Sequence, residues 1–132
     1  MKASAWLVFV SLLVVSQTAW AAGDFDGTKT LVCATTEAII FEPGQTCEKG
    51  LPEKMGAPEH VRVDFGKKVI VGSKRMTEIR LMEKNNEQIT LQGSNIDFGW
   101  TLVISRQTGK MTATITGQET VVVRFGTCTA LE

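Results

Sequence analysis

This chain predicts an all-β fold: one small domain of about eight antiparallel strands in an up-and-down meander. Three observations carry that expectation. Apolar and polar residues alternate with period two nearly everywhere after Gly27. Turn residues recur roughly every 8 to 12 positions. Beyond the first apolar run, no long segment keeps a helical period with capping residues. Strands joined neighbour to neighbour favour a small closed barrel, because a sandwich usually needs Greek-key crossovers and closure removes exposed edges. A β-sandwich or an open curled sheet is the alternative.

Ahead of the domain lies an export pattern. Lys2 gives a positive start, Trp6 to Val15 form a short apolar run, and Ala19-Trp20-Ala21 places small residues where a signal peptidase reads them. Ser16-Gln17-Thr18 ends the run well short of the roughly 20 apolar residues that a membrane span needs. Residues 1–21 are therefore expected to be a signal peptide, with residues 22–132 as the mature domain. Its 111 residues suffice for one compact core. Processing removes Lys2 and leaves a net charge of −1. The basic residues cluster only at Lys67-Lys68 and Lys74-Arg75, in expected turns, so no nucleic-acid partner and no membrane insertion after processing are expected.

The first strand is expected over residues 30–41. An irregular segment, residues 42–59, follows and holds all three prolines of the chain; it reads as a lid, a binding loop or a connector, with room for a helical turn over residues 52–55. Two hairpins come next. Residues 60–65, with Val61, Val63 and Phe65 inward, pair with 68–72 through Gly66-Lys67. Residues 77–83, with Ile79 and Leu81 inward, pair with 88–92, with Ile89 and Leu91 inward, through Asn85-Asn86. The clearest hairpin joins Trp100-Thr-Leu-Val-Ile-Ser105 to Met111, Ala113 and Ile115 through Thr108-Gly109, where glycine offers positive φ. Residues 120–129 supply the last strand. Apolar content sets their expected parity: Val121, Val123 and Phe125 inward, Arg124 outward with Val122 and Cys128.

Three cysteines test closure. Cys33 lies near the start of the first strand and Cys128 near the end of the last, so the two meet if an even number of meandering strands closes. Export permits a disulfide, and one spanning most of the chain stabilises by about 4 to 5 kcal/mol through loop-closure entropy. A Cys33–Cys47 bridge is the local alternative. In the first case Cys47 is left as a free thiol.

No catalytic constellation assembles, so no enzymatic activity is expected. His60 is the single histidine, no phosphate-binding or nucleophile-elbow motif occurs, and the thiols and imidazole are too few for a structural metal site. No cofactor and no metal are expected. Asp24-Phe25-Asp26-Gly27 lacks the remaining ligands of a calcium loop and reads as a solvated tail. Glu37 reads as an exterior carboxylate. The expected function is a non-enzymatic exported binding module for a small hydrophobic or amphiphilic ligand, its cavity lined by Trp100, Leu102, Ile104, Met111 and Phe125. The alternative is an interaction protein, such as an inhibitor of an exported hydrolase, using residues 42–59.

Phe25-Asp26-Gly27-Thr28-Lys29, Leu31-Val32-Cys33-Ala34, Pro43-Gly44 with Cys47 and Gly50-Leu51-Pro52-Glu53, Gly99-Trp100-Thr101-Leu102, Thr108-Gly109-Lys110-Met111 and Phe125-Gly126-Thr127-Cys128 resemble a group of small exported bacterial proteins of unknown function. The resemblance spans nearly the whole mature chain. It implies a periplasmic or secreted setting and carries no activity with it. It also implies that Cys47 can have a partner at the position of Phe41 in other members and lacks one here.

Overall fold

The computed structural model describes residues 23–51 and 60–132. The expected signal peptide, its cleavage point and the possible helical turn over 52–55 lie outside the described residues. Ten antiparallel strands form one curled sheet: β1 (Leu31–Phe41), β2 (Glu48–Gly50), β3 (His60–Asp64), β4 (Val69–Val71), β5 (Met76–Glu78), β6 (Leu81–Lys84), β7 (Gln88–Asn95), β8 (Phe98–Ser105), β9 (Lys110–Thr116) and β10 (Val121–Ala130). The order is β5-β4-β3-β1-β10-β9-β8-β7-β6, with β2 on the half of β1 that β3 leaves unpaired.

Period-two alternation produces the core directly. In β8, Trp100, Leu102 and Ile104 are buried; they face Ile115, Ala113 and Met111 of β9 and Gly93, Leu91 and Ile89 of β7. Cross-strand partners share one side of a sheet, so these rungs form a continuous inner face, with Leu31, Cys33, Val63 and Ile70 arriving from the other half. The β8–β9 turn contains Gly109 at φ 71°. This is the left-handed region that glycine enters without steric cost. A Cβ there would also lie 2.3 Å from Phe25 Cζ.

The first and last strands pair along their whole length, Leu31 opposite Ala130 and Phe41 opposite Val121, and the Cys33–Cys128 disulfide staples that seam. The sheet is nevertheless open rather than a closed barrel, and the opening lies in the middle of the chain. Residues 77–83, expected as one strand, are broken at Ile79-Arg80: β5 pairs only with β4 and β6 only with β7. Single backbone bonds hold the joint, Ile79 N–H donating to Lys68 O (2.8 Å) and Arg80 N–H to Gln92 O (2.9 Å). The break also shifts parity. Ile79 is buried as expected, but Met82, not Leu81, stands opposite Leu91, and both Leu81 and Met82 are left exposed.

One end of the curl is plugged. Asp24-Phe25-Asp26-Gly27 is not a solvated tail: Phe25 packs on the core, and Asp26 is buried, its carboxylate accepting hydrogen bonds from the Thr28 N–H and hydroxyl. Those bonds hold the Asp26 carboxyl below the ordinary carboxylate range. Lys84 Nζ donates to Asp26 O, tying the plug to β6.

Candidate functional site

Four of the five expected lining residues come together. Trp100, Leu102, Ile104 and Met111 are all at least nine-tenths buried on the inner face. Ile104 and Met111, opposite each other at the plugged end, are packed core rather than cavity wall. Trp100 works at the other end. Its ring lies over Gly93, where a Cβ would sit 2.4 Å from Trp100 Cζ2, and its Nε1 donates to Thr77 Oγ1 of β5 at 3.0 Å. The indole thus spans the gap between the two edges of the sheet.

Phe125 does not belong to the set. It is 40% exposed on the outer face, opposite Glu37 and Thr112. The inner residues of β10 are Val122, Arg124, Gly126 and Cys128. Gly126 is inward because β1 comes close there: a Cβ would meet Ala34 O at 2.0 Å and Met111 Cε at 2.7 Å. Arg124, expected outside, is therefore inside, opposite Ala113 of β9 and the fully buried Ala38 of β1. The signal that identifies this is Cys128. A disulfide closing the seam from within forces residues 124, 126 and 128 onto the inner face, and it outweighs the larger apolar content of the opposite face.

Two rungs define the end away from the plug. The outer one reads Gly93, Trp100, Ile115, Val122, Ile40 and Glu48, from β7 to β2. The next one inward reads Leu91, Leu102, Ala113, Arg124, Ala38 and Gly50. Ile115, Val122 and Ile40 are only half-buried. Arg124 is half-buried as a residue, yet its Nε is shut off from solvent without a hydrogen-bond partner. Burial pushes the guanidinium down from its ordinary value, and no neighbouring charge offsets it.

The remaining candidates sit elsewhere. Glu37 is on the outer face, as expected, paired with Lys49 Nζ at 3.0 Å. A bulge between Thr35 and Glu37 turns it outward relative to Cys33. Cys47 is a free, exposed thiol. His60 begins β3, opposite Ala34. Among the described residues, no group of three or more His, Cys, Asp or Glu is placed to hold a metal ion, and no helix is long and apolar enough to cross a membrane. An open depression of about 350 Å³ lies over Gly93 and Gly99, lined by Gln92, Trp100, Thr101, Thr114 and Thr116 and carrying no charged group. No family model, curated protein or solved structure matches the chain.

Proposed function

We propose that this chain is an exported, non-enzymatic binding module that takes a small hydrophobic or amphiphilic molecule at the unplugged end of its curled sheet. The observation that carries this reading is the unequal treatment of the two ends. Residues 24–29 seal one, with Phe25 partly buried against the core and Asp26 buried. At the other, Ile115, Val122 and Ile40 present an inner apolar rung that is only half-covered, beside the Trp100 indole. Concave apolar surface with a few placed polar groups is the usual make-up of a small-molecule site. The leader pattern of residues 1–21 and the Cys33–Cys128 bridge support a periplasmic or secreted setting, where disulfides persist.

The test uses Trp100 as a reporter. In a chain carrying Trp6→Phe and Trp20→Phe, Trp100 is the sole indole, and its emission is expected to change saturably on titration with 1-octanol or octanoate. An emission that neither compound moves would overturn the proposal. A second reading, an interaction protein such as a hydrolase inhibitor, would then lead. It has its own observation: Ile39, Phe41, Val121, Val123 and Phe125 form an apolar band on the outer face of β1 and β10, with Phe41 45% and Phe125 40% exposed.

A further inference from the structure

We propose that Arg124 is the headgroup-binding residue of this site and that it selects amphiphiles carrying a carboxylate. The inference rests on the binding-module reading and adds the chemical class of the ligand. Three features of the inner face carry it.

First, Arg124 is the single charge on its rung; the partners from β7 to β2 are Leu91, Leu102, Ala113, Ala38 and Gly50. Its two cross-strand neighbours on that rung are both alanines, Ala113 of β9 and Ala38 of β1. Second, no described residue forms a hydrogen bond or ion pair with it, and its Nε is dry and unsatisfied. Glu48, the one carboxylate on the adjoining rung, is exposed and makes no ion pair with it. A donor withdrawn from water with no acceptor is costly, and a ligand acceptor is what removes that cost. Third, the guanidinium presents a planar fork of donors that matches a carboxylate in bidentate fashion, and its charge does not titrate away at neutral pH.

The order of the rungs fixes the ligand's orientation. Arg124 lies one rung deeper than the apolar rung of Ile115, Val122 and Ile40. The carboxylate therefore enters first, and the hydrocarbon chain trails over that rung and the Trp100 ring toward solvent.

Isothermal titration calorimetry at neutral pH, with octanoate and 1-octanol as probes of equal chain length, tests this on the full chain. The wild type is expected to bind octanoate about ten- to a hundredfold more tightly than 1-octanol, the gain of a charge-assisted bidentate contact. Arg124→Gln is expected to lose that margin for octanoate and to leave 1-octanol binding unchanged, with Arg124→Lys in between. Equal affinity of the wild type for the two probes, or octanoate binding that Arg124→Gln does not weaken, would overturn the role of Arg124 while leaving the binding module intact. Failure of the wild type to bind either probe would overturn both. The comparison of probes on the wild type needs no variant to fold.

Discussion

Removing the disulfide by the double change Cys33→Ala and Cys128→Ala perturbs the seam where the first strand meets the last. The bridge spans 95 residues. Freeing a loop of that length in the unfolded state costs the folded protein about 4.7 kcal/mol by loop-closure entropy. Both sulfurs are buried, Cys33 at 0% and Cys128 at 2% exposure, so the cavities left by their loss act in the same direction. A small domain is stable by only about 5–15 kcal/mol, so the bridge is a large share of the total. At roughly 4 to 5 °C per kcal/mol for this size, the melting temperature is expected to fall by about 20 °C. Differential scanning calorimetry on the double variant, with Cys47→Ser as control, measures this. Cys47 is exposed and unbridged, and its replacement is expected to move the midpoint by no more than about 2 °C. A drop below about 5 °C in the double variant would refute the entropy argument. It would mean that the β1–β10 ladder holds the chain ends together even in the unfolded reference state.

Three further outcomes follow from the packing. Arg124→Met removes an unsatisfied buried donor and keeps a long flexible side chain, so chemical denaturation should show a gain of about 1 kcal/mol, discounted for the partial exposure of the residue; a loss would show that the guanidinium anchors the fold. Gly93→Ala places a Cβ 2.4 Å from Trp100 Cζ2 and 2.5 Å from Glu78 O. Thermal melting should report a loss of about 1–3 kcal/mol, together with a red shift of Trp100 emission as the ring is displaced. Asp26 has a carboxyl held below its ordinary value of 3.8, so its contribution is fully present above that value and is lost as acid takes the pH down through the folded-state value. Urea melts of wild type and Asp26→Asn should therefore differ at pH 7 and converge as the pH falls below about 3.8; a gap that widens in acid would refute the assignment.

The parts of the fold legible in the sequence are those where a single periodicity governs and a turn residue fixes the register. The β8–β9 hairpin is the clearest: threonines alternate with apolar residues and Gly109 sets the turn, and the buried set Trp100, Leu102, Ile104 and Met111 follows. The Cys33–Cys128 pair was legible from topology alone. What escaped were places where the alternation shifts phase. The bulge between Thr35 and Glu37 and the break at Ile79-Arg80 each move side chains to the opposite face, and nothing in the residue types announces either. β10 failed for another reason. Both of its faces are apolar, so hydrophobic content could not choose between Phe125 and Arg124, and the tighter constraint was the inward Cys128. The cation of the candidate site escaped with it, because Arg124 shares the less apolar face of β10.

The break at Ile79-Arg80 has a counterpart on the far side of the curl. Around the molecule, neighbouring strands are joined by hydrogen-bond ladders everywhere except between β5 and β6, where the covalent chain and single hydrogen bonds carry the connection without a ladder. At β1 and β10 the situation is reversed: the two strands lie far apart along the chain, and a ladder with one disulfide makes the join. The molecule is a covalent loop closed by peptide bonds on one side and by sulfur on the other. A protease that cut between Ile79 and Arg80 would therefore not divide it. The two pieces, carrying Cys33 and Cys128 respectively, would stay tethered at the opposite seam, and one cut would turn a hairpin-free joint into a pair of new chain ends already positioned at the edges of the sheet.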